Sequence, residues 1–195
     1  MPAPTRTSND AIVTAALDLV DSGGPDALTM QAVADRVGVR APSLYKRVES
    51  RDHLLGLLVE RITVKLASVL DGAADAETDD PFAGVVSMAQ ALRGFAHEHP
   101  HLFGLVFGQL PDAAKPPRES LARSAAAVLT VSERLAGPDA ALDAARTITA
   151  WAYGFLTMEL AGAFQLGGDP EAAFDYGAAA IARSIDARNG MRAHE

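Results

Sequence analysis

Every extended apolar run in this chain recurs at a spacing of three to four residues and is closed by glycine or proline. That punctuation leaves little room for anything but helices. The first run shows the pattern. Ile12, Val13, Ala16, Leu17 and Val20 form one stripe, and Gly23, Gly24 and Pro25 follow it. Glycine reaches the left-handed conformation that ends a helix, and proline cannot continue one. No alternating run rich in β-branched residues lies between turn signals, so no strand is expected. The expected fold class is all-α, with about nine helices.

The same signals set the expected bounds. A first helix covers residues 8–22. Thr29 is the N-cap of a short second helix that runs to Val37, because its hydroxyl can accept an otherwise orphaned backbone N–H. Gly38 breaks that helix. Pro42 is tolerated at the start of a third, whose first N–H groups have no intrahelical partner, and this helix runs to Arg47. Ser50 caps a long fourth helix ending near Leu70. Residues 71–80 are small and acidic and read as a linker. Asp80 and Pro81 open a fifth helix that ends at His99 and Pro100, and a short apolar segment covers 102–110. Residues 111–117 read as a loop. The last three helices are expected over 117–135, 139–165 and 170–188.

Net charge is −8, which argues at first sight against a nucleic-acid partner. Its distribution changes the argument. Residues 1–52 hold six basic and seven acidic side chains, whereas residues 53–195 hold eleven and eighteen. Between residues 36 and 51 the balance reverses: Arg36, Arg40, Lys46, Arg47 and Arg51 face only Glu49. A basic stripe on an acidic body can bind phosphate without making the whole chain adhesive. The chain has no cysteine, which excludes disulfides, thiolate catalysis and cysteine-ligated zinc. No secretory leader is evident, and the most apolar stretch, residues 147–166, is interrupted by Glu159 and Gln165. A cytoplasmic protein with no membrane partner is expected.

The segment 29–48, TMQAVADRVGVRAPSLYKRV, carries the functional signal. Ala32, Val33, Val37, Val39 and Leu44 are its apolar positions, and Gly38 supplies the turn between two short helices. A helix-turn-helix lays its second helix in the major groove, with the N-terminal residues of that helix meeting base edges. Those residues are Arg40, Ala41, Pro42 and Ser43, and one turn later Tyr45 and Lys46 can reach phosphates.

With the first helix and the run VESRDHLLGLL (residues 48–58), this segment closely resembles the DNA-binding domain of the TetR family of repressors. The matching positions are Ala16 to Leu19, Gly23 or Gly24, Leu28 and Thr29, Ala34 to Val39, Leu44 and Tyr45, Arg51, and Leu54 and Leu55. Val48 departs from the Phe usual at its position, though some members carry Val there. The resemblance implies that Thr29 offers a helix N-terminus to a phosphate. It implies a phosphate hydrogen bond from Tyr45 and charge contacts from Lys46 and Arg51. Arg40, Ala41 and Ser43 become the candidates for reading bases, Arg40 by a bidentate pair with guanine. The implied organisation is a three-helix DNA-binding domain over residues 7–52 and a ligand-binding and dimerisation domain over 53–195.

The remainder is less specific. Met88, Phe95, Phe103, Phe107, Trp151, Phe155 and Met158 suit either core packing or, as the resemblance implies, a pocket for a small apolar effector. The expected helices over 139–165 and 170–188 are rich in alanine and glycine, which allows close approach, and the resemblance implies a homodimer through them. The segment Trp151, Ala152, Tyr153, Gly154 is similar to a C-terminal domain named for a W-H-G signature, with Tyr153 where that signature has histidine. His97, His99 and His101 invite a metal reading, but Pro100 breaks the helix between them, and histidines at a helix end interacting with its dipole are the blander account. No metal and no cofactor is expected. No nucleophile elbow, phosphate loop or zinc-protease motif is present, so no enzyme is expected. The expected function is a regulator released from a palindromic double-stranded operator by a small molecule. The alternative is a helical binding protein that never touches DNA.

Overall fold

The computed structural model describes residues 8–76 and 79–192, and its described residues are helical with no strand. Ten α-helices and two short 3-10 turns follow in order. The chain divides into two compact units.

The first unit takes in the described residues of Met1–Thr63 together with His99–Ser120. Helix α1 is Asn9–Gly23, and the Ser8 hydroxyl caps it by accepting the Ala11 N–H at 3.1 Å. A 3-10 turn, Pro25–Ala27, leads to α2, Met30–Val37, and then to α3, Ala41–Leu44. Helix α4, Arg51–Asp75, starts in this unit, with Ser50 accepting the His53 N–H. Helix α6, Pro100–Phe107, packs against α1. Ile12, Ala16, Val20, Leu28, Val33, Leu44, Leu54, Leu58 and Phe103 are buried at its centre. The period-3.6 stripe of α1 read from the sequence is therefore the face that fills this core, which is what a short amphipathic helix needs to be stable.

The second unit comprises Val64–Glu98 and the described residues of Leu121–Glu195. It holds the later residues of α4, α5 (Pro81–Glu98), α8 (Ala126–Ala136), α9 (Ala141–Leu160) and α10 (Pro170–Arg192). Val85, Met88, Val131, Leu135, Ile148 and Ala182 form its core. The Asp80 carboxylate caps α5 by accepting the N–H groups of Phe82 and Ala83. Asp169 does the same for the Glu171 N–H at the start of α10.

Several bounds differ from the sequence reading. Helix α4 does not stop near Leu70 but continues to Asp75, because Leu70, Ala73 and Ala74 pack against the second core. The apolar segment after Pro100 is a true helix, α6. The single helix expected over 117–135 is two, α7 (Arg118–Ser124) and α8, separated at Ala125, where the Ser124 hydroxyl bonds back to the Leu121 carbonyl. Such a bond offers the backbone an alternative to the helical ladder. Helix α9 ends at Leu160 rather than near Gln165, because Gly162 takes a φ of 66°. Its N–H bonds Glu159 O, and the next N–H bonds Met158 O, closing the helix two residues after Leu160.

Candidate DNA-reading surface and effector unit

The turn between α2 and α3 is built as its residues dictate. The Thr29 hydroxyl accepts the Ala32 N–H at 3.1 Å, so the first turn of α2 is capped. At the other end Gly38 has φ 73° and ψ 36°. The Gly38 N–H bonds Asp35 O at 3.2 Å and the Val39 N–H bonds Ala34 O at 2.9 Å. A side chain would strain this left-handed residue. Arg40 is the extended residue before α3, and Ala41 and Pro42 begin it. Leu44 and Val48 are buried, which orients α3 and leaves its opposite side in solvent. Helix α3 itself is shorter than expected: residues 45–47 form a turn.

Of the residues expected to meet DNA, Thr29, Arg40, Pro42, Ser43, Lys46 and Arg51 are exposed, and Ala41 is half-buried. Tyr45 is 55% exposed, far more than a tyrosine placed for packing. The charges around this turn divide into two groups. Arg36 pairs with Asp18 at 3.3 Å and Arg61 with Asp10 at 2.6 Å, which ties α1 to α2 and to α4. By contrast, among the described residues, the side chains of Arg40, Tyr45, Lys46 and Arg47 form no ion pair or hydrogen bond. Arg47 belongs to this exposed group although it is not among the expected site residues; the basic run 36–51 was the signal that pointed to it. Arg51 is different. Its guanidinium donates from Nε to Leu28 O at 2.8 Å and from Nη2 to Pro25 O at 2.9 Å.

The residues expected to line a pocket fall in both units. Phe103 and Phe107 lie on α6 in the first unit, with ring centroids 5.2 Å apart. Met88 and Phe95 are buried on α5 in the second unit, where Met88 is part of the core. Trp151 and Phe155, on α9, belong to an aromatic cluster: Trp151 stacks on Phe174 at 4.9 Å, and Phe155 meets Phe174 at 5.2 Å and Phe164 at 4.8 Å. Met158, also on α9, is 50% exposed. Several small residues of α9 and α10, including Ala144, Ala145, Ala152 and Ala178, are buried within the unit. Gly177 leaves room for the Trp151 ring, since a Cβ there would lie 2.5 Å from Cζ2.

Glu159, whose role the sequence left open, is an internal charge. Its carboxylate accepts from Arg93 Nε and Nη2, the latter at 2.8 Å, and lies 3.2 Å from His97 Nε2. Burial pushes this carboxyl up, but the Arg93 and His97 hydrogen bonds outweigh it and hold it below the ordinary carboxylate range. Arg93 also lies 3.4 Å from Glu171, so the group joins α5, α9 and α10. The three histidines near residue 99 go separate ways. His97 serves Glu159, His99 bonds the Asp21 carboxylate at 2.8 Å, and His101 lies beside Gly24. Among the described residues no group of three or more side chains could hold a metal. No helix among them is long and apolar enough to cross a membrane.

A capped helix, a left-handed glycine and a short second helix flanked by exposed, unpaired cations define a helix-turn-helix protein of the nucleic-acid-binding class. Comparison with known proteins narrows this. Residues 12–58 match the model of bacterial regulatory proteins of the tetR family, and residues 85–181 match a tetracyclin repressor-like C-terminal domain. An HTH-type transcriptional regulator of Mycobacterium tuberculosis is 32% identical over 82% of this chain and 73% of its own length. A second regulator, from Mycobacterium bovis, is 34% identical but is matched over only 43% of its length. A possible TetR family transcriptional regulator from Streptomyces coelicolor superposes with a TM-score of 0.67 at 23% identity, over 96% of this chain and 100% of that one. A TetR variant from Acinetobacter baumannii in complex with minocycline superposes with a TM-score of 0.69 at 20% identity, over 92% and 97%. The chain belongs to the TetR family of helix-turn-helix transcriptional regulators, whose members are DNA-binding proteins and not enzymes.

Proposed function

We propose that this regulator is a ligand-released repressor that reads a palindromic operator as a homodimer. Residues 7–52 form its DNA-binding domain and residues 53–195 its ligand-binding and dimerisation domain. Two copies of α3 enter successive major grooves, about 34–36 Å apart. Arg40, Ala41, Pro42 and Ser43 meet base edges, Arg40 through guanine O6 and N7. Thr29, Tyr45, Lys46 and Arg47 meet phosphates. The observation that carries this reading is the set of exposed, unpaired cations at α3 on a chain whose net charge is −8. On an acidic protein, unpaired cations flanking one small helix are what an anionic backbone requires.

The dimer forms through α9 and α10, where Leu142, Met158 and Tyr176 are half or more exposed. A second copy covers such apolar side chains at low cost in a self-complementary contact. A small apolar effector binds in the second unit near Phe95, Trp151 and Phe155, and favours the form that does not fit the operator. An effector with equal affinity for both forms would shift nothing. The test is a pair of alanine variants on one operator duplex. Arg40→Ala is expected to weaken binding and relax preference at one base position. Lys46→Ala is expected to weaken all sequences alike and lower the salt slope by about one. Two variants with wild-type affinity and slope would refute the surface.

A further inference from the structure

We infer that Arg51 is a positioning residue for operator reading and not a phosphate contact, an inference that rests on the DNA-binding reading above. The residue opens α4, and its side chain reaches back to a segment more than twenty positions earlier. Nε and Nη2 form one edge of the guanidinium, and that edge is occupied by Leu28 O at 2.8 Å and Pro25 O at 2.9 Å. On the other side Nη1 lies 4.0 Å from the Asp52 carboxylate. Two of the five N–H donors are thus taken by carbonyls, and a phosphate at the remaining ones would approach beside the like charge of Asp52.

The two carbonyls bracket the 3-10 turn Pro25–Ala27, whose own bond joins Leu28 N–H to Pro25 O at 3.3 Å. Leu28 is fully buried and directly precedes Thr29, the cap of α2. Arg51 therefore pins the entry to α2 against the first turn of α4. Helix α3 follows α2 through the fixed turn at Gly38, so its aim depends on where α2 begins. Only a planar fork of donors meets two carbonyls in this way; a lysine ammonium is a single point charge on a flexible stem.

The experiment uses the full chain and two DNA probes. One is the duplex that the wild-type protein selects from a random-sequence pool; the other is a scrambled duplex of equal length. Wild type, Arg51→Lys, Arg51→Gln and the comparator Lys46→Ala are titrated across a range of salt, with helical content checked by circular dichroism. Both Arg51 variants are expected to lose about ten- to a hundredfold affinity for the selected duplex. Their affinity for scrambled DNA stays within about twofold and the salt slope is unchanged, whereas Lys46→Ala weakens both and lowers the slope by about one. Arg51→Lys keeps the charge and decides the matter alone if Arg51→Gln does not fold. The inference is overturned if Arg51→Lys binds like wild type while Arg51→Gln loses both probes and a unit of slope, which is the signature of a phosphate contact. It is equally overturned if both variants merely melt earlier and keep operator affinity. A wild-type protein that selects no duplex overturns the DNA-binding reading itself, and the role of Arg51 with it.

Discussion

Replacing Glu159 with glutamine is expected to destabilise the second unit by about 2–3 kcal/mol at neutral pH. Removing one partner of a buried ion pair costs roughly 3–5 kcal/mol, because the other charge stays behind uncompensated. Here Arg93 keeps 20% of its side-chain surface in solvent and has Glu171 at 3.4 Å, so part of that loss is recovered. For a chain of this size about 2–4 °C in Tm follows from each kcal/mol, so the melting temperature should fall by about 4–12 °C. Wild type and variant are compared at equal protomer concentration, since the melting of a dimer depends on it. The acid limb gives an independent check. The Glu159 carboxyl is held below its ordinary range by Arg93 and His97 against the opposing effect of burial. The unfolded chain therefore binds the proton first as pH falls. The stabilisation is full above the ordinary carboxylate range and is lost as pH drops through the folded value. The difference between wild-type and Glu159→Gln stability should thus hold steady near neutrality and shrink below about pH 4. A difference under about 0.5 kcal/mol at pH 7, or one that ignores pH down to about 3, refutes this part-buried pair as a stabilising element.

Gly177→Ala should cost about 1–3 kcal/mol, because its Cβ would lie 2.5 Å from Trp151 Cζ2 and must displace the ring. Trp151 is the only tryptophan, so a changed emission spectrum should accompany the lower Tm. Gly38→Ala has open space around its Cβ and should cost only the left-handed backbone penalty, about 1–2 kcal/mol, with Gly38→Asn milder; a urea titration measures both. Ser132 is buried with no hydrogen-bond partner among the described residues, so Ser132→Ala should be neutral or stabilising by up to about 1 kcal/mol, and a loss in thermal melts would contradict that.

What could be read from the sequence was local. Thr29 caps α2, Ser50 and Asp80 cap α4 and α5, and Gly38 turns the chain, because each acts within four residues of itself. The candidate DNA-reading residues follow from the same short-range grammar. Where the reading failed, a longer-range or subtler cause prevailed. The paired Gly167 and Gly168 looked like the end of α9, but Gly162 had already closed it. Alanines 73 and 74 looked like linker, yet packing against the second core keeps them helical. No motif announces that Arg51 bonds carbonyls 23 and 26 residues away, or that Arg93 meets a carboxylate 66 residues on. Such partners are set by the fold, and a period or a cap signal does not encode them. For the expected pocket residues, apolar spacing marks a buried face but does not distinguish core from cavity.

The central claim is tested most directly by incubating purified protein with sheared genomic DNA and sequencing what it retains, with a Tyr45→Phe/Lys46→Ala double variant beside it. The account predicts a shared palindrome in the wild-type fraction that the variant fails to enrich. Equal recovery by wild type and variant at low salt, with no common sequence, would contradict it.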